Sequence, residues 1–483
     1  MKVLFCVAEA VPFAKTGGLA DVAGALPAAL RRLGHDVRVL MPCYRGTPRD
    51  GLAAVCPLHA RLGGQVVEGR LLEGRAPGEV PFWFVDAPAL YDRPGIYGEG
   101  GRDYPDNLLR FAFLCRAALA VLREVWAPDL AHCHDWHAAL LPAYVRWEGP
   151  RLATLFTVHN LAHQGIFPIG EFPLTGLPAE AFTMDGVEYH GRVNVLKAGL
   201  VWADLVSTVS ETYAREIQTP EHGMGLDGLL RARSADLFGV LNGVDYTQWD
   251  PATDPYLVAT YSADDLSGKA RCKAALQREV GLPDAPEAPL LAVIARLVPQ
   301  KGIDLVVEAL PALVRAGAQL VVLGTGDAAL EAALRRAERR WPAQVRVRIG
   351  FDEGLAHRIE AGADIFLMPS RFEPSGLNQL YSLRYGTVPV VRRTGGLADS
   401  VVDLTPQTLQ QGRANGFVFD AYTVEAFLAA VGRALAAYRD PGLWRWLQQT
   451  GMRLDFSWDR AAERYAALYA LAVERAASRV TGR

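Results

Sequence analysis

Two series of short apolar runs, separated by polar loops and helical patterns, constrain the fold of this chain more than any other feature. In the first series, Lys2 to Val7 is predicted to be a buried strand, Gly18 to Leu33 a helix ended by Gly34, and His35 to Leu40 the next strand. A strand, a helix and a further strand in this order are typical of a parallel sheet. Further strands of this series are predicted at 130–133, 152–158 and 205–209.

The second series follows residue 289, and its strands are predicted at 290–294, 319–323, 345–349, 364–368 and 388–391. Helical patterns between these strands imply a parallel sheet that is covered on both faces. A chain of 483 residues is also too long for one ordinary core. We therefore predict an α/β protein with two Rossmann-like, doubly wound domains that face a deep interdomain cleft.

The limits of the domains follow from the same patterns. Residues 251–289 are punctuated by Asp and Pro around one charged helix, which is typical of an inter-domain segment. We place the first domain at 1–245, joined by a C-terminal helix at 457–483, and the second domain at 246–456. The segment from Leu58 to Asp86 alternates apolar and polar residues, as a hairpin insertion does.

Composition narrows the partners and the compartment. The chain has 50 basic and 53 acidic side chains, a net charge of -3 and no basic block, so nucleic acid is not an expected partner. No apolar stretch reaches about 18 residues, and the apolar run at the N-terminus is too short for a signal peptide. We therefore expect no membrane contact and a cytoplasmic protein. The six cysteines show no Cys-x-x-Cys and are expected to be reduced. The oligomeric state stays open.

The hexapeptide Thr-Gly-Gly-Leu-Ala-Asp occurs twice, at Thr16 to Asp21 and at Thr394 to Asp399, each time after a basic residue. Each copy follows an apolar run and opens a helical pattern, so its glycines can present N–H groups to an anion at the positive end of a helix. Lysine is rare in this chain, and Lys15 before the first copy suggests a phosphate contact. No Gly-x-Gly-x-x-Gly is present here, so NAD is not favoured. The alternative is a plain turn that needs glycine for a positive φ.

Three charged residues follow predicted strands of the second domain. Arg296 and Lys301 share the loop after 290–294, and Glu373 lies in the loop after 364–368. Ligands of open α/β sheets bind outside the carboxyl ends of the strands, and two cations there suit a diphosphate. The alternatives are solvated surface charges for the two cations and a helix-dipole partner for Glu373.

The string His132 to His137 suggests a zinc site at first, because His-x-His places two imidazoles on one face of a strand. However, Asp135 is well placed as a helix N-cap and no further ligand motif completes the set, so we predict no metal. His159 and Asn160 follow the strand at 152–158, where a neutral imidazole can bind a sugar hydroxyl. Asp-x-Asp is absent, so basic residues are expected to compensate the charge of a nucleotide.

Together these strings resemble the bacterial and plant glycogen and starch synthases, which are retaining glucosyltransferases of GT-B architecture. The resemblance covers nearly the whole chain and is carried by seven strings, Lys15–Asp21, His132–His137, Thr157–Leu161, Leu241–Asp245, Arg296–Lys301, Ser370–Gln379 and Arg393–Asp399. It implies transfer of glucose from ADP-glucose to the nonreducing end of an α-1,4-glucan, with retention and without a metal or other cofactor. A nucleotide sugar and a glucan such as glycogen are thus the expected partners.

The resemblance also implies roles for single residues. Arg296 and Lys301 would hold the diphosphate, Glu373 would orient the transferred glucose, and His159 would contact the donor sugar. The residues expected to bind substrate are Lys15, Gly17, Gly18, Asp21, Asp135, Asn160, Asn242, Ser375, Gly376, Leu377, Thr394, Gly395 and Gly396.

The chemistry agrees with this assignment. Cleavage of the anomeric C–O bond develops negative charge on the leaving diphosphate, so cations placed there stabilise the transition state. No pair of carboxylates like that of retaining hydrolases is evident, which favours front-face attack. The alternatives are another GT-B glycosyltransferase or a phosphorylase, and a two-lobed sugar-binding protein that is not an enzyme. The choice between ADP-glucose and UDP-glucose is not fixed by these residues.

Overall fold

The computed structural model describes residues 1–481, and their contacts divide the chain into two compact units. The first unit comprises Met1–Gly243 together with the segment from Trp458 onward, and the second comprises Val244–Ser457. The predicted limits differ from these by one or two residues. The prediction of an inter-domain segment at 251–289 was wrong, because this segment lies inside the second unit, where Tyr261 and Cys272 join a hydrophobic cluster.

The first unit is built on a nine-stranded sheet with short additional strands. Its strands are β1 (Lys2–Cys6), β2 (Asp36–Pro42), β3 (Ala53–Leu62), β4 (Gln65–Ala76), β5 (Val80–Asp86), β6 (Gly98–Glu99), β7 (Arg102–Asp103), β8 (Leu130–His134), β9 (Ala153–Val158), β10 (Ile166–Pro168), β11 (Glu188–Tyr189), β12 (Arg192–Asn194), β13 (Leu205–Thr208) and β14 (Leu237–Gly239). Its helices before the last are α1 (Gly18–Arg32), α2 (Pro88–Tyr91), α3 (Asn107–Ala120), α4 (Asp135–Ala138), α5 (Leu140–Glu148), α6 (Val195–Trp202), α7 (Glu211–Glu216) and α8 (Asp227–Ala232).

The order of strands in this sheet is β14-β13-β9-β8-β1-β2-β5-β4-β3. The strands from β14 to β5 are parallel, whereas β3 and β4 form an antiparallel hairpin at the edge. The chain builds outward from β1 in one direction and returns at β8 to build in the other. Loops that follow β1 and β8 therefore meet at the point where ligands of doubly wound sheets bind.

Apolar periodicity explains how the helices cover this sheet. Helix α1 buries Leu19, Val22, Leu26 and Leu30 and carries arginines in its last turn, where they complement the helix dipole. The C-terminal helix (Trp458–Thr481) packs against α1 and β9, and its Tyr465 and Tyr469 are buried in the core of the first unit.

The second unit contains a six-stranded parallel sheet, β15 (Leu290–Ile294), β16 (Gln319–Gly324), β17 (Val345–Ile349), β18 (Ile365–Met368), β19 (Val388–Arg392) and β20 (Phe417–Phe419). Its helices are α9 (Ser267–Val280), α10 (Ile303–Arg315), α11 (Ala328–Arg340), α12 (Glu353–Gly362), α13 (Asn378–Arg384), α14 (Gly395–Ser400), α15 (Pro406–Gln410), α16 (Val424–Tyr438) and α17 (Pro441–Met452). The strand order, β17-β16-β15-β18-β19-β20, is that of a dinucleotide-binding fold with its reversal between β15 and β18. The two predicted Rossmann-like domains are confirmed.

Two further expectations concern the whole chain. All six cysteines are free thiols, as expected. Among residues 1–481, no helix has the length and apolarity needed to cross a membrane.

Candidate active site

An ion pair marks the point where the strand order reverses in the second unit. Lys301 Nζ lies 2.6 Å from Glu373 Oε2, and Ser370 Oγ donates to the same oxygen at 3.1 Å. Because β15 and β18 are neighbours, the loops that follow them meet at one edge of the sheet. Gly302 permits this approach, since it has a φ of +70° and a Cβ there would lie 2.0 Å from the Pro369 carbonyl oxygen. The structure therefore brings the predicted lysine and glutamate together.

Arg296 lies on the same loop as Lys301 but differs from it in its interactions. Its side chain is exposed just after β15, and its guanidinium forms no hydrogen bond or ion pair with any residue in the range 1–481. An anion at this edge thus meets one unpaired guanidinium and one ammonium that is shared with Glu373. This charge arrangement suits a group with more than one negative charge.

Hydroxyl groups at the same edge also lack partners. Ser375 Oγ and Thr394 Oγ1 are buried, and neither has a hydrogen-bond partner in the described part of the chain. Helix α13 begins here after Gly376, with Leu377 as its N-cap and no side chain capping it. Buried hydroxyls and a helix start without a side-chain cap are groups that a polar ligand can satisfy.

The second copy of the hexapeptide repeat packs against the backbone of the loop that carries Glu373. A Cβ on Gly395 would lie 1.9 Å from the Glu373 carbonyl oxygen, and one on Gly396 would lie 1.9 Å from that of Ser375. The Gly396 N–H donates to the carbonyl oxygens of Glu373 and Pro374. This N–H is therefore engaged, and not free for a phosphate as the sequence analysis expected. This copy opens a helix, as predicted, but the helix has only six residues.

The first copy lies in the first unit and binds a carboxylate of the chain. Thr16 donates its backbone N–H and its hydroxyl to Glu9, and the Gly17 N–H also contributes. Glu9 follows β1 and is buried, which raises the pKa of its carboxyl to about 7. Lys15 Nζ forms an ion pair with Asp21 at 2.6 Å. The anion position that the repeat predicts is therefore occupied here by Glu9, a residue that sequence reasoning missed because no motif surrounds it.

Asp135 does not act as the N-cap that the sequence analysis predicted. It is the first residue of α4 and has a φ of +54°, and its carboxylate accepts the backbone N–H of His159 at 2.7 Å. Burial raises the pKa of Asp135 to about 7, and the nearby charge of Glu9 acts in the same direction. The carboxylate therefore joins the ends of β8 and β9, where local sequence predicted only a helix start.

His132, His134 and His137 of the first unit are buried, and His159 beside them is half-buried. His134 Nδ1 and His159 Nε2 are 3.0 Å apart, and burial lowers the pKa of His159 to about 3. His132 and His137 are also buried, and burial lowers their pKa values well below the ordinary range. Within residues 1–481, no group of three or more acidic, histidine or cysteine side chains is arranged to hold a metal ion.

The remaining predicted residues of this unit are polar groups near strand ends. Asn160 Oδ1 accepts the N–H of Ala162 at 3.0 Å, which is a local turn. Asn242 is buried, and its Oδ1 has no hydrogen-bond partner among the described residues. That unpaired oxygen makes Asn242 a candidate for ligand contact, whereas the structure shows Asn160 in a turn.

Two aromatic residues were missed by sequence reasoning. The rings of Tyr97 and His137 stack at 4.7 Å, and the charges of Glu9 and Asp135 help to raise the pKa of the Tyr97 hydroxyl. Phe351 follows β17 in the second unit and is 81% exposed. The sequence signal that could have pointed to Phe351 is an aromatic residue just after the predicted strand at 345–349.

Two Rossmann-like units with polar groups gathered at their strand reversals are typical of GT-B glycosyltransferases. Comparison with known proteins agrees: residues 2–232 match the family described as "Starch synthase catalytic domain", and residues 279–441 match "Glycosyl transferases group 1". The chain is 50% identical over 476 residues to glycogen synthase 1 of Methylococcus capsulatus, which covers 97% of this chain and 96% of that protein. It is 53% identical over 477 residues to the glycogen synthase of an Anaeromyxobacter species, covering 97% and 99%.

A solved structure is also similar over nearly its full length. The catalytic domain of starch synthase IV from Arabidopsis thaliana, bound to ADP and acarbose, superposes with a TM-score of 0.89 at 36% identity and covers 98% of this chain and 99% of that one. The chain belongs to the glycogen and starch synthase family and is a glycosyltransferase. The predicted family, fold class and glycogen synthase activity are confirmed.

Proposed function

We propose that this chain transfers glucose from ADP-glucose to the nonreducing end of an α-1,4-glucan in the cytoplasm, with retention and without a metal ion. The observation that carries the proposal is the gathering of Arg296, Lys301 and Glu373 at the strand reversal of the second unit. The named relatives are glycogen synthases, and the similar starch synthase was solved with ADP, which supports an adenosine diphosphate sugar as donor.

The diphosphate of the donor binds at the carboxyl edge of the second unit. Arg296 supplies a guanidinium without a partner among the described residues, and Lys301 supplies a second positive charge. As the anomeric C–O bond breaks, negative charge grows on the leaving phosphate, and both cations stabilise it in the transition state. The first N–H groups of α13 contribute at the positive end of that helix.

Glu373 orients the transferred glucose and does not attack it. Retaining hydrolases use a nucleophilic carboxylate about 5 Å from an acid. Here Oε2 of Glu373 already accepts hydrogen bonds from Lys301 and Ser370, which makes it a poor nucleophile. We propose front-face attack: the C1–phosphate bond breaks as the bond from C1 to the acceptor oxygen forms on the same face. The departing phosphate takes the proton of the acceptor hydroxyl.

The adenine of the donor stacks on Phe351. This ring is exposed at the carboxyl edge of the sheet that holds Arg296 and Lys301, and a base can pack on its face. Stacking alone accepts any base, so Phe351 adds affinity and not selectivity.

Sugar contacts in the first unit come from aromatic faces and carboxylates. The stacked rings of Tyr97 and His137 lie near Glu9 and Asp135, and sugars bind between apolar faces and hydrogen-bonding groups. His159 is neutral and contacts a sugar hydroxyl through its ring.

The test is a donor comparison in the presence of EDTA. The protein is incubated with glycogen and either ADP-glucose or UDP-glucose, and nucleotide release and the anomeric configuration of the product are followed. We expect ADP release, α-linked product and full activity with EDTA. Preference for UDP-glucose, a β-linked product or loss of activity in EDTA would each contradict the corresponding part of the proposal.

A further inference from the structure

A hydrogen-bonded pair of histidines joins two neighbouring strands of the first unit. His134 ends β8, and His159 follows β9, which pairs with β8 in parallel. Their ring nitrogens, His134 Nδ1 and His159 Nε2, are 3.0 Å apart. Such a contact requires that one ring donates its proton and that the other accepts it.

The surroundings of His134 decide which ring donates. Its second nitrogen, Nε2, is buried and has no hydrogen-bond partner within residues 1–481. If His159 were the donor, neutral His134 would carry its proton on Nε2 as a buried N–H without an acceptor. If His134 donates from Nδ1, only a lone pair is left unpaired. Buried N–H groups without acceptors are the rarer case, so His134 is the donor.

Packing holds His134 in this orientation. Its ring stacks on Phe5 at 5.1 Å and lies 4.0 Å from the ring of His132. His132 is in turn fixed by Tyr469 of the C-terminal helix at 2.9 Å and by Thr157 at 2.6 Å. Phe5, His132 and His134 are all fully buried, and rotation of the His134 imidazole would need space that a close-packed core does not leave.

His159 is held from two sides. Its backbone N–H binds the carboxylate of Asp135, and its ring Nε2 meets His134. Its other nitrogen, Nδ1, forms no hydrogen bond with any described residue, so this atom remains for a ligand. Burial keeps both imidazoles neutral near pH 7, because it lowers the pKa of each below the ordinary value.

We propose that His134 is a positioning residue that fixes His159 as the neutral tautomer with its proton on Nδ1. His159 then offers an N–H donor, and not a lone pair, to the oxygen of a sugar hydroxyl. That hydroxyl keeps its own proton for another acceptor. The inference rests on the proposed contact between His159 and a sugar hydroxyl, and it adds the residue that decides whether His159 donates or accepts in that contact.

The tautomer is measured directly by long-range 1H–15N correlation NMR on the full-length protein labelled with 15N-histidine. The signals of His159 are assigned by their loss in His159→Gln. We expect the wild type to show a protonated Nδ1 and a bare Nε2. His134→Ala should shift His159 to the Nε2-protonated form or to a mixture, whereas His134→Asn, which keeps an N–H donor near the Nδ1 position, should retain the wild-type pattern.

A matched control comes from the same strand. His132→Phe keeps an aromatic ring against His134 and removes an equally buried imidazole that makes no hydrogen bond to His159, so it should leave the His159 pattern unchanged. In glucosyl transfer, we expect His134→Ala to lower kcat about tenfold and His134→Asn to lower it less than about threefold.

Two results would overturn the proposal: a wild-type His159 protonated on Nε2, or an unchanged pattern in His134→Ala. If His134→Ala does not fold, the wild-type spectrum still decides the tautomer. Because the spectrum does not depend on turnover, it tests the role of His134 even if the proposed transfer reaction fails.

Discussion

The two cations of the second unit differ in what they do before a ligand arrives. Lys301 is tied to Glu373 and therefore helps to hold the loop after β18, whereas Arg296 has no described partner. A side chain without a partner in the folded protein can be removed with little loss of stability. Its removal still weakens the stabilisation of the negative charge that develops on the leaving group. The contrast separates a role in folding from a role in binding.

Arg296→Ala should therefore lose activity while it keeps its stability. We expect kcat/KM for the nucleotide sugar to fall roughly 100-fold, as for the loss of other groups that stabilise transition-state charge. The free energy of unfolding, measured in urea, should change by less than about 0.5 kcal/mol, because the side chain is exposed. Arg335→Ala, which removes an exposed arginine on α11, is the control and should change neither quantity. A large loss of stability in Arg296→Ala would show that the residue has a structural role.

Glu9 gives the first unit a pH dependence with a defined sign. Its pKa is raised from 4.5 to about 7 by burial, so the folded chain keeps this proton at pH values where the unfolded chain releases it. The stabilisation is complete below about pH 4.5 and is lost as the pH rises towards 7, with a slope of at most about 1.4 kcal/mol per pH unit for one proton. Glu9→Gln should reduce this slope in urea unfolding between pH 5 and pH 7. Asp135 contributes a slope of the same sign, which the variant keeps in large part because burial is the main cause of its raised pKa. An unreduced slope in Glu9→Gln would mean that Glu9 ionises normally.

At the scale of elements, the repeated hexapeptide shows how one sequence performs two tasks. In both copies the Gly pair follows a strand, but the first copy binds the Glu9 side chain, and the second packs against the backbone of the Glu373 loop. The tertiary partner, and not the local sequence, decides the role of each copy.

The repeat provides its own matched pair of variants. Gly395→Ala places a Cβ 1.9 Å from a carbonyl oxygen at a φ of +44°, whereas Gly17→Ala meets its nearest atom at 3.8 Å with an extended backbone. We expect Gly395→Ala to cost about 1–3 kcal/mol of stability and Gly17→Ala less than about 1 kcal/mol. Urea unfolding measures both. Equal losses would contradict the close approach seen at Gly395.

A buried lysine ties three helices of the second unit together. Lys269 on α9 donates from Nζ to the carbonyl oxygen of Ala361 in α12, to that of Tyr385 after α13 and to the hydroxyl of Thr387. Carbonyl groups at the C-terminal end of a helix lack partners inside the helix, and a cation there also interacts favourably with the helix dipole.

Lys269→Met should lower the stability of the protein by roughly 3 kcal/mol, because it leaves buried carbonyl oxygens without donors. The control is Arg271→Met, which removes an exposed cation from the same helix and should change stability by less than about 0.5 kcal/mol. Urea unfolding followed by circular dichroism gives both values. A loss in Lys269→Met no larger than that of the control would show that the three hydrogen bonds contribute little.

Across the whole molecule, burial decides what the sequence reveals. Strands β15 and β17 lie at the predicted residues, because β15 is a continuous apolar run with few other structures available and β17 alternates valine with arginine at the period of a strand. The three-residue strands β14 and β20 were missed, since so short a run shows no period. Motifs located Lys301 and Glu373, but Glu9 and the role of Asp135 depend on contacts between strands that are far apart in sequence.

The location of the donor site can be tested over the whole chain by hydrogen exchange with and without ADP. If the diphosphate binds at the strand reversal of the second unit, ADP should slow exchange in the loops at 296–302 and 370–377. The antiparallel hairpin β3–β4, at the far edge of the sheet in the first unit, should exchange at the same rate with and without ADP. The protection should disappear in Arg296→Ala at an ADP concentration near its wild-type Kd, because weaker binding stabilises the folded state less. Protection confined to the amino ends of β15 and β18 would place the nucleotide at the opposite edge of the sheet and contradict the site.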